Sequence, residues 1–183
     1  ADELHWDPAT LRTRAALEKT MYHLLGLLDH PEHSFSRLHK FLWDRYRSVR
    51  QDLAIQGIHD EFAAWCYEQT IRYSIICEHQ LCGSKAGLRE IEGYDSHLNK
   101  EQLNKGLLSL MGIYERLHKQ GRPAANEPTF RAYQLLLSMG THGKFGYNSS
   151  EYVMMLRSMR RELLRTPQIQ EAIQIHDAYH NSE

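Results

Sequence analysis

Leu38, Leu42, Tyr46, Val49 and Leu53 recur at intervals of three and four residues, the spacing that lines one face of an α-helix. The segment that carries them, Ser36 to Gln56, sends Asp44, Arg47 and Gln51 to the opposite side. Arg45 and Asp52 fall at the margins of the apolar stripe, and Gln56 falls within it. Charged groups beside a buried stripe are usually paired, because a charge left alone out of water is strongly destabilising. Arg45, Asp52 and Gln56 therefore read as an internal network that fixes helix register, with a recognition surface as the second reading.

The same periodicity predicts six further helices and no strand. The first runs from Pro8 to Asp29, with Asp7 as cap and Pro8 at its first position. The third covers Asp60 to Leu81. Its apolar residues Phe62, Trp65, Ile71, Ile75 and Ile76 wrap much of the circumference, which marks it as central. Gly57 and Gly83 stop the second and third helices. A glycine-bearing loop with Gly83, Gly87 and Gly93 follows. The fourth helix starts at Asn99, with Gln102 at the capping-box position, and Gly121-Arg122-Pro123 closes it. The fifth starts near Asn126 and turns Phe130, Tyr133, Leu136 and Leu137 inward. The sixth runs unbroken from Ser150 to Arg165 after a loop from Gly140 to Ser149. The seventh is capped by Thr166, with Pro167 at its first position. The fold class is thus all-α, and the order and length of the helices point to an antiparallel helical-repeat solenoid of about seven helices.

Composition narrows the function without naming it. The 183 residues are 42% hydrophobic and 25% charged, which is globular, and they suffice for one domain with a real core. A net charge of −1 provides no global field for nucleic acid or a membrane. No apolar run is long enough to cross a bilayer. Three cysteines, Cys66, Cys77 and Cys82, lie in or beside one helix and read as reduced thiols of an intracellular protein. The chain opens at Ala1 without methionine and ends just past a helix. We therefore expect a piece of a longer protein, with further helices covering the apolar face that the last one would expose.

Chemistry-bearing groupings are few. Arg157, Arg160, Arg161 and Arg165 form a basic stripe, joined by Lys144 in the preceding loop. Residues 142–166 hold five positive and two negative side chains, the best local candidate for a phosphate or acidic-partner contact. The plainer reading is a solvated helix face. Trp43 and Arg47 stand one turn apart, as a cation–π pair would, but ordinary packing against a neighbouring helix is the favoured reading. Cys77, His79 and Cys82 lack a fourth ligand and the knuckle spacing of zinc sites. His176 and His180 stand one turn apart near the end of the chain. Gly140 to Gly146 lacks the spacing, the preceding strand and the Ser/Thr of a phosphate-binding loop. No catalytic triad, acid/base carboxylate pair or cofactor fingerprint emerges. The expectation is no metal, no cofactor, no small-molecule substrate and no enzyme activity.

Four blocks in order over roughly 130 residues carry a family resemblance. They are Ala16 to Met21 through Leu24-Leu25; Ser36 to Gln56 with its Trp-Asp-Arg and Ser-x-Arg-Gln-Asp run; Asn99 to Lys105 with Leu107 to Tyr114; and Asn126 to Tyr133, Asn-Glu-Pro-Thr-Phe-Arg-Ala-Tyr. Together they resemble the GANP family, named for germinal-centre-associated nuclear protein and including its yeast suppressor-of-actin relatives. The resemblance implies a nuclear scaffold of transcription-and-export complex 2, which couples transcribed messenger RNA to the nuclear pore and envelope. It implies that residues 1–183 are the N-terminal helical-repeat part of a PCI-type domain whose winged helix is absent from this chain. The implied partners are a second PCI-type subunit, a small acidic subunit and RNA. A PCI-type subunit of a proteasome-lid or translation-initiation assembly is the alternative within the same architecture. An all-α metal enzyme would need a Glu-x-x-His pair on each of two helices, and the nearest candidate is incomplete.

Overall fold

The first described helix opens at Arg14, later than the periodicity alone predicts, and Thr13 provides its cap. The threonine hydroxyl accepts from the Ala16 amide at 3.3 Å, and its own backbone is extended. The computed structural model describes residues 10–30, 35–82, 94–139 and 149–180. The expected Asp7 cap, the Gly83 stop, the glycine loop after it and the 140–148 segment lie outside them. Every regular element among the described residues is helical. There are eight helices there: α1 Arg14–Leu28, α2 Phe35–Ile55, α3 Glu61–Leu81, α4 Ser96–Lys119, α5 Glu127–Leu137, α6 Ser149–Ser158, α7 Arg161–Leu164 and α8 Pro167–His180. They fall into two compact units, residues 1–103 and 104–183.

Two helix ends follow directly from glycine. Gly57 and Gly121 have φ of 63° and 72°, the left-handed region open to a residue without Cβ. At each, two amides fold back onto the last turn. Ile58 and Gly57 donate to Leu53 and Ala54, and Arg122 and Gly121 donate to Leu117 and His118. The start of α4 differs from expectation. Asp95 accepts from the Leu98 amide at 2.9 Å and brings the first turn forward to Ser96. Asn99 thus stands inside the helix instead of capping it. It is buried and donates its side-chain amide to the Ser74 carbonyl at 2.9 Å.

In the first unit, α1 packs on α2 and α2 on α3. The stripe residues Leu42, Tyr46, Val49 and Leu53 are fully buried, as are Leu17, Met21, Ile71 and Cys77. Each such side chain contributes roughly 1.5–3 kcal/mol by leaving water. α3 buries residues around most of its girth, including Ala63, Cys66, Tyr67, Thr70, Ile71, Tyr73 and Ser74, although Ile76 is exposed. Small residues do much of that filling, which a search for large apolar side chains passes over.

Polar groups lock the same seams. Asp52 is 8% exposed and accepts from Arg12 Nε at 2.7 Å and from the Arg12 amide at 3.3 Å. Arg12 also donates to Ser48 Oγ at 2.7 Å, and Gln56 donates to the Arg12 carbonyl at 3.0 Å. Arg50 reaches the carbonyl and the side-chain oxygen of Gln102 at 3.1 and 2.9 Å. At the far end of α3, Glu78 accepts from Tyr94 at 2.6 Å, Ser96 at 2.7 Å and Lys100 at 3.0 Å. Burial works against the charge on Glu78. The hydrogen bonds from Tyr94, Ser96 and Lys100 outweigh it and hold the carboxyl at about 2, below its ordinary 4.5.

In the second unit, α5 packs on α8 and α7 touches α8. Ala132, Leu135, Tyr152, Met159, Ile169 and Ala172 form its buried cluster. The helix expected to run unbroken from Ser150 to Arg165 is two pieces, because Arg160 takes an extended backbone with ψ of 147°. Met159 is buried at the break.

Two measurements probe these locks. Asp52→Ala leaves Arg12 without its acceptor and is expected to cost about 2 kcal/mol in chemical denaturation, while partner recovery at permissive temperature persists. Unchanged melting with lost partner binding would make Asp52 a recognition residue instead. A carboxylate whose folded value is depressed stabilises the fold above its ordinary value and loses that effect as pH falls. Glu78 is accordingly expected to contribute roughly 2–3 kcal/mol above pH 4.5, fading toward about pH 2. Glu78→Gln should flatten that part of the stability–pH curve; an unchanged acid limb would show that the carboxylate is not held this way.

Candidate nucleic-acid interface

The break at Arg160 rearranges the basic stripe. Arg157 lies in the last turn of α6, Arg161 opens α7 and Arg165 caps its end, and all three are exposed. Arg160 turns inward. It donates to Glu115 Oε1 at 3.0 Å and to Glu127 Oε2 at 2.6 Å. Arg131 meets the same two carboxylates, Glu115 at 2.6 Å and Glu127 at 3.1 Å. Two guanidiniums and two carboxylates thus close a neutral ring in which the Glu127 side chain is 2% exposed. Arg160 is committed to this ring, and the cationic face consists of Arg157, Arg161 and Arg165. Exposed Glu162 lies within the same stretch. Lys144 lies outside the described residues.

A cleft of ≈ 480 Å³ opens beside the ring. Pro123, Ala124, Pro128 and Leu163 supply apolar walls, and Glu127, Arg160 and Thr166 supply polar edges. Glu127 and Arg160 already satisfy one another there, and the exposed side chains of His118 and Glu162 also line the cleft.

In the first unit the structure brings two of the three proposed network residues together. Asp52 and Gln56 meet on Arg12, a residue that sequence reading missed, 40 positions from Asp52 along the chain. Arg45 is not in that network. It pairs with its neighbour Asp44 and lies over the Phe41 ring, 5.9 Å from its centroid. Arg45 stands on the same margin of the stripe as Asp52 but seven residues earlier, about 10 Å along the helix axis from the carboxylate that Arg12 meets. The cation–π contact within α2 therefore involves Arg45 and Phe41 rather than Arg47 and Trp43.

The cysteine and histidine groupings separate. Cys77 is buried, with Sγ 3.3 Å from His39 Nδ1, and burial pushes its thiol up to about 12. Burial also pulls His39 below its usual value. His79 and Cys82 are exposed, and Cys82 Sγ lies 3.7 Å from Ser96 Oγ. His176 stacks flat on Tyr152 at 3.5 Å. Among the described residues, no three His, Cys, Asp or Glu side chains stand where they could hold one metal ion.

Comparison with known proteins matches the SAC3/GANP family over residues 1–183. SAC3 family protein B of Arabidopsis thaliana is 38% identical over 160 residues, 87% of this chain and 9% of the relative. SAC3 family protein 1 of Schizosaccharomyces pombe is 35% identical over 130 residues, 70% of this chain and 12% of the relative. Protein xmas of Drosophila melanogaster is 29% identical over 175 residues, 92% of this chain and 8% of the relative. The chain thus spans about a tenth of the length of the curated relatives it matches. Several polar positions of the motif blocks (Ser48, Arg50, Asp52, Asn99, Gln102, Glu127 and Arg131) bridge segments here, whereas Asp44 and Arg45 pair with each other. With all four blocks in place and the match running from the first residue to the last, the chain belongs to the SAC3/GANP family.

Proposed function

We propose that this chain is a non-enzymatic scaffold segment of a messenger-RNA export complex, acting in the nucleus at the pore. One observation carries the reading: the match to the SAC3/GANP family, whose members are scaffolds related to messenger-RNA export, over the whole chain. The helices are the N-terminal repeat part of a PCI-type domain. Their outer faces receive a second PCI-type subunit and a small acidic subunit. The internal locks support such a role, because a scaffold needs a fixed arrangement of surfaces more than it needs reactive groups. In the arginine–glutamate ring each carboxylate is paired with a guanidinium, which supports a holding role for these residues.

RNA contact falls to the exposed arginines of α6 and α7, with Lys144. Arg157, Arg161 and Arg165 provide positive charge near a neutral ring, a local field for a phosphate backbone.

Affinity purification of the full-length protein, with identification of what accompanies it, tests the scaffold reading. Recovery of a PCI-type subunit and a small acidic protein is expected; a retinue of proteasome-lid or initiation-factor subunits would redirect it. Arg157→Glu with Arg161→Glu is expected to lower retention of the protein on RNA at low salt by about tenfold and to flatten its salt dependence. Equal retention of the two proteins would remove these arginines from RNA contact.

A further inference from the structure

The outer face of α2 takes no part in the locks described above. Its inner stripe is buried, and Ser48, Arg50 and Asp52 are engaged by Arg12 and Gln102. What remains outside is Arg37, Lys40, Phe41, Asp44, Arg45 and Arg47. The four cations are exposed, with a single carboxylate, Asp44, among them. In a chain whose net charge is −1, this is a concentrated positive patch.

An aromatic ring stands inside it. Phe41 is 48% exposed, and the guanidinium of Arg45 lies over its ring. Arg37, Phe41 and Arg45 are spaced by four and form one row along the helix; Lys40 and Arg47, seven apart, form a second row beside it. Trp43, half-buried, lines an adjoining recess of ≈ 160 Å³ with His39, Lys40, Asp95 and Leu98. From Arg37 to Arg47 the helix rises about 15 Å, enough to follow a short run of nucleotides.

We propose that this face of α2 binds single-stranded RNA, with Arg37, Lys40, Arg45 and Arg47 tracking the phosphates and Phe41 stacking a base. The inference deepens the messenger-RNA reading and rests on it for the identity of the polyanion. Cations alone would serve an acidic peptide equally well. An exposed ring flanked by guanidiniums is the added feature: it offers a flat surface on which any base stacks, while the charges hold the backbone. The site is separate in sequence from the α6–α7 arginines, so the two can be removed one at a time.

The test uses the full-length protein and a labelled single-stranded uridine oligonucleotide, with affinity followed by fluorescence anisotropy across a salt series. Replacing Arg37, Lys40, Arg45 and Arg47 by Gln is expected to weaken binding at least tenfold at low salt. It should also reduce the slope of log affinity against log salt by about two to three. Phe41→Leu is expected to weaken binding about fivefold at unchanged slope, whereas Phe41→Tyr should keep it, because stacking needs the ring and not merely its apolar bulk. Circular dichroism melting establishes that each variant is folded, and the Phe41 pair decides the matter if the quadruple variant is not. Wild-type affinity and slope in the quadruple variant would overturn the proposal. If Arg157→Glu with Arg161→Glu alone weakens binding, RNA contact survives but belongs to α6 and α7. If the α2 variant binds RNA normally and loses a protein subunit instead, the face is a protein interface and the proposal is equally lost.

Discussion

A carboxylate removed from water has to find donors, and in this chain the donors come from other segments. Asp52 in α2 takes them from Arg12 ahead of α1. Glu78 near the end of α3 takes them from Tyr94, Ser96 and Lys100. Glu127 at the start of α5 takes them from Arg131 in its own helix and from Arg160 across the unit. Apolar stripes alone would let neighbouring helices slide by a turn at modest cost, since one leucine packs much like the next. A buried acid allows no such freedom, because a one-turn shift of about 5.4 Å leaves it without a partner. Register is therefore specified at these points.

The same requirement explains the broken helix. Residues 150–165 have the periodicity of one rod, yet Arg160 leaves the helical region and reaches back to Glu115 and Glu127. Continuing the helix would keep a few backbone hydrogen bonds in place. Breaking it gives the ring its fourth member and sets Met159 into the apolar cluster. A consequence for function is that the basic stripe loses its central residue and becomes three arginines spread over two short helices.

The two cationic faces arise by different routes. On α6 and α7 the arginines that remain outside are those the ring did not take. On α2 the inner and outer sides are divided by the helix itself: a fully buried stripe faces α1 and α3, polar residues at its C-terminal half close the seams, and the N-terminal half leaves its cations and Phe41 in solvent. One helix thus combines a fully buried stripe with a charged exterior.

Helix type and most of the buried stripe were legible from the chain alone. Spacing by three and four identified Leu42, Tyr46, Val49 and Leu53 as core, and glycine identified the ends at Gly57 and Gly121, because periodicity and left-handed backbone are local properties. The family blocks were legible for the same reason. Their polar residues were visible as a pattern, but what they hold was not. Arg12 gives no local sign that it will meet Asp52 and Gln56, and Arg160 sits in a stretch that reads as helix. Small residues such as Ala63 and Ser74 filled the girth of α3 where larger apolar ones had been expected. The sequence by itself determined which segments coil and which side of each avoids water. Only the tertiary structure decided which charges are withdrawn into pairs and which are left for a partner, because a hydrogen bond between distant residues depends on where the chain returns in space.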